Sequence, residues 1–419
     1  MNDADFICLS IAVSQQSLIN IFSYWLLATC AFLVGGTALV VSYYWFLAVV
    51  SLTGRRQASP SNFVTHHTFI ILIPAHNEEQ VLGKTIAALK NLDYPQDRYR
   101  VVVIADNCTD ETARIARESG SICFERTDSK NRGKGQALSW AFDRLASEIF
   151  DAVIVLDAEC FIDLHALKVF GRYLDQGWMV MQSRVAASNP DDSSTSYAVA
   201  VGNLLENDFF YAPKSRLGLA VLLRGTGFAL TREVLISLPW HASSITEDIE
   251  YSASLIRNHI PIHFIPEVEV KSKFPSSTGQ LEVQRKRWAE GNIGFGRKNA
   301  LNLIWQGFLA GNWRLVDAGW TFLVLSKPLM LFSVLAALVL SILCCWLTPG
   351  RISNVLLWAG LIISGSMLGY LSLGIYRLGV DLHRIELLCR APFVILRLFL
   401  ITLRSLTGRG TDKWVRTPR

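Results

Sequence analysis

This sequence predicts an α/β domain with a mostly parallel central sheet, accompanied by transmembrane and interfacial α-helices. Within residues 66–300, short runs rich in β-branched residues alternate with amphipathic stretches, a pattern that is typical of parallel sheets. Such sheets bind their ligands at the carboxyl ends of the strands. Outside these residues the chain carries apolar runs that are long enough to cross a bilayer.

The composition points to a membrane and away from nucleic acid. Hydrophobic residues make up 51% of the 419 residues and charged residues 18%, and the mean hydropathy is +0.30. This is too apolar for an ordinary soluble enzyme. Lys and Arg gather beside the apolar runs, so the net charge of +5 suits anionic lipid headgroups. The cysteines and histidines show no zinc-ligand spacing, and we expect no structural metal site.

The first apolar run, residues 21–52, predicts a transmembrane helix that is retained as an anchor. The basic pair Arg55-Arg56 follows it. The positive-inside rule therefore places residues 1–20 outside and brings the chain into the cytoplasm after this helix. Residues 53–65 predict a linker. We expect the domain at 66–300 to lie in the cytoplasm, at the plasma (inner) membrane of a multi-pass protein.

Three apolar runs follow the domain. Residues 319–347 and 355–376 predict two more transmembrane helices. Residues 387–406 differ, because arginines recur every seven residues on one helical face: Arg390, Arg397 and Arg404. A spanning helix would place Arg397 near the bilayer centre at a cost of roughly 2.5–3.5 kcal/mol. We therefore expect an interfacial amphipathic helix, followed by a basic cytoplasmic tail at 407–419.

Five strands are predicted inside the domain, at residues 69–73, 101–105, 122–124, 152–156 and 179–185. Apolar residues recur at helical spacing between the first two strands and before the fourth. These residues are Leu82, Ile86 and Leu89, and then Leu138, Ala141, Phe142 and Leu145.

Polar residues follow the first two predicted strands directly. Pro74, Asn77 and Glu78 come after the first strand, and Asp106 ends the second. The turn after Pro74 can offer backbone groups to a nucleotide base, and Asp106 can accept hydrogen bonds from a base or a ribose. Asn77 and Asp110 can equally cap helices. No G-x-G-x-x-G follows the first strand, which disfavours a dinucleotide-binding fold.

Lys134 lies between two glycines at the start of a predicted helix. The glycines let the backbone approach a ligand closely, and a lysine near a helix N-terminus would face a phosphate. A solvated basic turn is the alternative for this segment taken alone.

Asp157 and Glu159 follow the fourth predicted strand, which is apolar throughout. Two carboxylates at the end of a buried strand are costly to desolvate unless they bind a cation or another partner. Mg²⁺ and Mn²⁺ prefer oxygen ligands and can neutralise a diphosphate leaving group. An exposed turn at the strand end is the alternative.

Two more polar groups fall on predicted helices. Glu247 and Asp248 open one amphipathic helix, and Gln284, Arg287 and Trp288 share one face of another. An amide, a cation and an aromatic ring are unusual on a core-facing surface. A helix at the membrane surface, with its tryptophan at the headgroup level, is the alternative for the second group.

Taken in order, these motifs resemble those of membrane-bound family 2 glycosyltransferases. That family includes cellulose, hyaluronan, chitin-oligosaccharide and poly-N-acetylglucosamine synthases. The resemblance covers about residues 69–288 and the flanking anchors. It implies a GT-A fold, a UDP-sugar donor, Mg²⁺ or Mn²⁺ as the cofactor, and inversion at the anomeric carbon.

The resemblance also implies roles for individual residues. Asp106 would hold the uracil or ribose, Asp157 the metal and diphosphate, and Asp248 would be the catalytic base. The face formed by Gln284, Arg287 and Trp288 would bind the donor diphosphate and the acceptor. Three loop residues and the neighbour of the base would lie beside the acceptor: Gly225, Thr226, Gly227 and Glu247. Glu159 departs from the family pattern, which has aspartate there, so its direct coordination of the metal stays open.

The function predicted from the sequence is transfer of sugar to a growing polysaccharide or oligosaccharide. Transfer of one sugar to a lipid is the alternative within the same family. Three transmembrane helices can line only a small part of a polysaccharide channel, so a polymerase would need a homo-oligomer or an export partner protein. A catalytically inactive binding or export partner would be expected to lack Asp157 or Asp248, and both are present. A transporter has no use for an intact donor site.

Overall fold

The structure is a computed structural model that describes the backbone of residues 3–54, 66–241, 246–324 and 326–406. It describes side chains over the same ranges except at residues 3–19, 278, 280, 283–290, 292–293 and 405–406. The chain divides into two compact units. One comprises Met1–Phe46 and Ser326–Tyr376, and the other comprises Leu47–Leu325 and Arg377–Arg419.

The larger unit is built on an eight-stranded sheet of order β3-β2-β1-β4-β7-β6-β8-β5. Its strands are β1 (Phe69–Ala75), β2 (Tyr99–Asp106), β3 (Ile122–Arg126), β4 (Ala152–Val155), β5 (Phe161–Ile162), β6 (Val180–Ala187), β7 (Phe228–Thr231) and β8 (His263–Ser272). The five predicted strands are β1, β2, β3, β4 and β6, so these predictions are confirmed. Of the others, β5 has only two residues, β7 lies between a glycine-rich loop and α8, and β8 contains Pro266.

Parallel pairing dominates the half of the sheet that contains β1. This strand pairs in parallel with β2 and β4, and β2 pairs in parallel with β3. Strand β7 enters antiparallel between β4 and β6. The residues that precede β7 therefore lie at the same edge as the carboxyl ends of β1, β2 and β4. A backbone hydrogen bond of 2.8 Å from Gly227 to the carbonyl of Val155 joins the two strands there.

Helices connect the strands and cover the sheet. Those of the domain are α2 (Leu82–Leu89), α3 (Thr112–Glu118), α4 (Lys134–Leu145), α5 (Ala166–Asp175), α6 (Ser194–Glu206), α7 (Ala212–Arg216), α8 (Arg232–Ser237) and α9 (Glu247–Arg257). A 3₁₀ turn at Gln96–Arg98 precedes β2, and a π-helical turn at Asn207–Tyr211 follows α6. The apolar positions predicted for α2 and α4 are all buried. These contacts fix the two helices on the sheet by apolar burial.

Two further helices, α10 (Thr278–Leu309) and α11 (Trp313–Val324), complete this part of the larger unit. A buried ion pair holds α11 to the domain, because the Nζ of Lys214 lies 2.9 Å from the Oδ2 of Asp317. The same carboxylate accepts a hydrogen bond of 2.8 Å from the backbone of Ala220. The predicted segment 319–347 is therefore two helices, because its first residues belong to α11.

The smaller unit contains α12 (Lys327–Leu347) and most of both α1 (Asp3–Thr53) and α13 (Arg351–Leu378). Three stretches in the described part of the chain are long and apolar enough to cross a membrane: Asn20–Thr53, Lys327–Leu347 and Arg351–Leu378. The rings of Tyr44 and Tyr370 meet edge to face with centroids 5.3 Å apart. The indole of Trp45 donates a hydrogen bond of 3.0 Å to the carbonyl of Ser366. These contacts pack α1 against α13.

The last helix, α14 (Leu382–Leu406), contains the predicted interfacial segment. Arg384 forms a bidentate ion pair with Asp191 through bonds of 2.8 and 2.9 Å. Further along, Arg397 donates to Glu282 of α10 at 3.0 Å. At the other end of the chain, the helical backbone of α1 includes most of the segment predicted as external, 1–20. Most of the linker and the whole basic tail lie outside the described residues.

Candidate active site

Two loops meet beyond the ends of β1 and β2. The Oδ1 of Asn77 accepts a hydrogen bond of 2.8 Å from the backbone of Thr109. Asp110 accepts from the backbone N–H groups of Glu79 at 3.2 Å and Thr112 at 3.0 Å. Asp110 thus bonds to the first residue of α3, although the N-cap position is Glu111, which makes no side-chain cap. Asn77 has a φ of 57° and uses its side chain to join the two loops.

Asp106 ends β2 as a buried carboxylate with fixed partners. Its Oδ1 accepts from the Nη1 of Arg126 at 2.6 Å and from the Nδ2 of Asn107 at 2.9 Å. Arg126 ends β3, next to β2 in the sheet, and is itself 6% exposed. The ring of His76 contacts the backbone carbonyl of Asp106 at 2.7 Å. Arg126, at the end of the neighbouring strand, thus orients the carboxylate of Asp106. Sequence analysis did not identify Arg126 as a site residue.

Lys134 connects three of the predicted motifs. It is the first residue of α4 and follows Gly133, whose φ is 120°. Its Nζ forms an ion pair with the carboxylate of Asp157 and donates at 2.7 Å to the carbonyl of Gly225. The backbone N–H of Asp157 in turn donates at 3.0 Å to the Oγ1 of Thr226. The start of α4, the end of β4 and the loop before β7 therefore meet at one point.

Asp248 and Glu247 reach the same point from the start of α9. A Cβ placed on Gly225 would lie 3.5 Å from the Oδ2 of Asp248 and 3.9 Å from the Nζ of Lys134. Gly225 thus lies next to both a carboxylate and an ammonium group.

Burial decides the protonation of these carboxyl groups. It raises the pKa of Glu247 to about 7, and the negative charge of Asp248 adds to this shift. Burial also raises the pKa of Asp248, whereas its hydrogen bond from Ile249 and the charge of Lys134 oppose the shift. For Lys134 burial acts in the opposite direction, yet Asp157 and Glu247 hold its pKa above the ordinary value. A carboxylate whose pKa is raised towards neutrality is suited to accept a proton.

The loop before β7 is held by Gln182, a fully buried residue of β6. Its Nε2 donates to the carbonyl of Thr226 at 2.9 Å, and its Oε1 accepts from the backbone of Arg224 at 2.8 Å. Sequence analysis missed this residue. Its signal is an amide that directly follows the apolar start of a predicted strand, residues 179–181, and that must find hydrogen-bond partners when buried.

The structure therefore places the predicted residues in two groups along one edge of the sheet. The first group lies at the ends of β1 and β2: Pro74, Asn77, Glu78 and Asp106. The second surrounds the end of β4 and the start of α9: Lys134, Asp157, Gly225, Thr226, Gly227, Glu247 and Asp248. Glu159 lies two residues beyond Asp157 and is partly exposed, as Asp157 is. Gln284, Arg287 and Trp288 lie on the helical backbone of α10, and their side chains fall outside what the structure describes.

Asp157 and Glu159 are the residues of this site that can hold a metal. Both offer carboxylate oxygens, which are the ligands that Mg²⁺ and Mn²⁺ prefer. Their partial exposure leaves access for an ion with bound waters. The donor set thus fits a hard divalent cation.

The mostly parallel sheet, with a carboxylate-rich edge and an inserted antiparallel strand, has the architecture of the GT-A fold. Residues 66–291, more than half of the chain, match the family described as "Glycosyltransferase like family 2". The chain belongs to this glycosyltransferase family.

Two relatives and one solved structure illustrate the similarity. The probable glycosyltransferase YdaM of Bacillus subtilis is 26% identical over 231 residues, which are 53% of this chain and 54% of that protein. The beta-monoglucosyldiacylglycerol synthase of Nostoc sp. is 31% identical over 229 residues, 53% of this chain and 48% of that protein. This chain thus spans about half the length of these relatives.

The solved structure is the mannosyltransferase PcManGT of Pyrobaculum calidifontis, in complex with GDP-Man and Mn²⁺. It superimposes with a TM-score of 0.57 over 92% of this chain and all of its own, at 17% identity. A similarity at this level of identity concerns the fold.

Proposed function

We propose that this protein is an inverting enzyme that transfers a sugar from a UDP-sugar to a polysaccharide or oligosaccharide hydroxyl at the cytoplasmic face of the plasma membrane. The observation that carries the proposal is the meeting of Lys134, Asp157, Gly225 and Asp248 at one edge of the sheet. A cation, a metal-binding carboxylate and a carboxylate base are the groups that displacement of a diphosphate requires.

The nucleotide is assigned to the first group of residues. Arg126 holds Asp106 with one carboxylate oxygen engaged, which suits recognition of the uracil or ribose. The turn that contains Pro74, Asn77 and Glu78 lies at the end of the adjacent strand β1 and would supply backbone contacts to the base.

The diphosphate is assigned to Lys134 and to the metal site at Asp157 and Glu159. A bound Mg²⁺ or Mn²⁺ would neutralise the charge that develops on the leaving diphosphate. The Mn²⁺ in the PcManGT complex, a protein of the same fold, supports this cofactor. Lys134 is anchored by the carbonyl of Gly225 at 2.7 Å and directs its positive charge towards the same place.

Asp248 is assigned as the base that removes the proton from the attacking hydroxyl. Its raised pKa lets it hold this proton as the new glycosidic bond forms. Glu247 and the loop Gly225-Thr226-Gly227 would lie beside the acceptor. The face of Gln284, Arg287 and Trp288 would bind the donor diphosphate and the acceptor.

Transfer of one sugar to a lipid is a second candidate function. The observation that favours it is the 31% identity with a protein named beta-monoglucosyldiacylglycerol synthase. A single transfer also needs no channel, whereas a polymerase with three spans would need a homo-oligomer or an export partner. Asp157 and Asp248 would have the same roles with either acceptor.

Incubation of the purified full chain with a panel of labelled UDP-sugars tests the proposal. One reaction series contains oligosaccharide primers and the other contains diacylglycerol in detergent micelles, and products are analysed by mass spectrometry. A ladder of sugars indicates polymer synthesis, and a single added hexose on lipid indicates the second function. The Asp248→Asn variant is the control for contaminating activities. A folded protein that binds UDP yet transfers no sugar would be an inactive binding partner.

A further inference from the structure

His66, His67 and Asp175 converge at the edge of the sheet opposite to the donor site. The two histidines immediately precede β1, and Asp175 is the last residue of α5. The Nε2 atoms of His66 and His67 lie 3.2 and 2.9 Å from the same oxygen, the Oδ1 of Asp175. All three ligand atoms lie within 4.8 Å of one another. Two imidazoles and one carboxylate thus face a common point.

The spacing of these atoms suits a tetrahedral metal ion. Zn²⁺ binds imidazole nitrogen and carboxylate oxygen at about 2.0–2.2 Å. Two ligand atoms at those distances and at the tetrahedral angle are about 3.3–3.5 Å apart. The two observed separations to Asp175 therefore need only small adjustments to admit the ion. Imidazole ligands also favour zinc and the late transition metals over Mg²⁺, which prefers oxygen alone.

A second carboxylate stands behind one of the histidines. The Nδ1 of His67 lies 3.8 Å from the Oδ2 of Asp151. That oxygen is fixed by the backbone N–H of Thr68 at 2.6 Å and by its hydroxyl at 2.9 Å. The separation of 3.8 Å from His67 is longer than a hydrogen bond, so Asp151 acts as a nearby negative charge that favours a cation bound to the other ring nitrogen. The side chain of His67 is 13% exposed, so at least one ligand is held by its surroundings.

We propose that His66, His67 and Asp175 form a transition-metal site, distinct from the donor site, with the negative charge of Asp151 close to His67. In the absence of metal, the ring N–H groups share the oxygen of Asp175. Metal binding replaces these contacts with two ring nitrogen lone pairs and one carboxylate oxygen, and a water completes the coordination. The ion would tie the start of β1 to the end of α5, where the chain from the linker enters the sheet.

Zinc retention by the full-length protein in detergent tests this site. The protein is stripped with a chelator, exchanged into buffer with millimolar Mg²⁺ to occupy carboxylate-only sites, loaded with Zn²⁺ and desalted. We expect one zinc ion per chain by elemental mass spectrometry. With Co²⁺ in place of Zn²⁺, we expect the intense visible absorption of a four-coordinate site.

Three variants separate this site from its alternatives. His66→Ala/His67→Ala should retain no zinc, and Asp157→Asn should retain as much as the parent. His165→Ala is the matched control, because His165 pairs with Asp93 at 2.8 Å on the surface without a second histidine, and it should also retain zinc. Addition of Zn²⁺ should raise the melting temperature of the parent and leave that of the double variant unchanged.

Asp151→Asn keeps both ring ligands and Asp175 in place, so it tests the site even if the double variant fails to fold. Loss of this nearby negative charge should weaken Zn²⁺ binding by at least about threefold in titrations at low salt. The proposal is overturned if the parent retains no zinc. It is equally overturned if a folded double variant retains as much as the parent, or if Asp151→Asn titrates like the parent.

Discussion

The ammonium group of Lys134 forms an ion pair with the carboxylate of Asp157, the residue assigned to the metal and the diphosphate. A metal bound at Asp157 would therefore compete with Lys134 for the same carboxylate until a donor diphosphate provides both with another partner. Loss of Lys134 should therefore affect metal binding and sugar transfer in opposite directions.

Lys134→Ala should tighten Mn²⁺ binding in the absence of nucleotide, because Asp157 loses its competing cation. The same variant should transfer sugar at least about tenfold more slowly, since a positive charge next to the leaving diphosphate is lost. Electron paramagnetic resonance of free Mn²⁺ measures the first effect and initial rates the second. Lys168→Ala removes an ion pair with Asp93 far from the donor site and is the control. Weaker Mn²⁺ binding by Lys134→Ala would show that the lysine helps to build the metal site.

Removal of the metal should abolish transfer, because Lys134 alone cannot neutralise two departing phosphates. Asp157→Ala should be inactive even with excess Mg²⁺ or Mn²⁺. Glu159→Ala should lose less activity if its side chain acts through a metal-bound water. Assays with labelled UDP-sugar across a chelator series check this. Full activity in excess chelator would remove the metal role from both residues.

Asp248→Asn should lower the rate of transfer by about 10²–10⁴, the usual contribution of a general base. The amide keeps the size of the side chain and can still accept from the backbone of Ile249, a bond of 2.9 Å in the structure. Folding and UDP binding should therefore stay near those of the parent, as measured by calorimetry. A variant that binds UDP and retains more than about a tenth of the parent rate would show that Asp248 is not the base.

The pair of Glu247 and Asp248 predicts an acid limb in the pH profile. The base must be ionised, so kcat/KM should fall as the pH drops through the raised pKa of Asp248. A carboxyl group whose pKa is raised by folding destabilises the native state as the pH rises from its unfolded value of 4.5 to about 7. Glu247→Gln should therefore unfold at higher urea than the parent at pH 8 and at similar urea near pH 4. Equal unfolding midpoints at both pH values would contradict the burial of this charge.

Two glycines of the loop before β7, Gly225 and Gly227, should respond differently to substitution by alanine. Both have positive φ, 77° at Gly225 and 67° at Gly227, which costs a residue with a Cβ about 1–2 kcal/mol. At Gly227 the new methyl would also overlap the Oγ of Ser183 and lie 2.8 Å from the Cγ2 of Val270. Gly227→Ala should thus lose about 2–5 kcal/mol of unfolding free energy in total.

At Gly225 the methyl would meet Asp248 at an ordinary contact distance of 3.5 Å. Gly225→Ala should therefore fold with a smaller loss of stability but transfer sugar slowly, since its methyl enters the space between Asp248 and Lys134. Urea unfolding and initial rates, measured on both variants, check the pair. Equal losses of stability would contradict the tight packing at Gly227.

Local patterns in the sequence were sufficient for β1 to β4 and β6, for the helices α2 and α4, and for the residues at the strand ends. The run that ends at Asp106 shows why. Apolar spacing defines a strand within a few residues, and the carboxyl ends of adjacent parallel strands must share one edge. Lys134 at the start of α4 and Glu247 at the start of α9 were found in the same way.

Contacts between distant segments were decided by the tertiary structure alone. Gln182 reaches the loop at Thr226 only because β7 enters the sheet antiparallel beside β6, and neither β7 nor this pairing has a local signal. His67 and Asp175, 108 residues apart, meet only because α5 ends beside the start of β1. The sequence therefore determined which residues stand at the ends of strands and helices, because periodicity and caps are local properties. Which of these ends face one another depended on the order of the strands, a long-range property that only packing of the whole sheet decides.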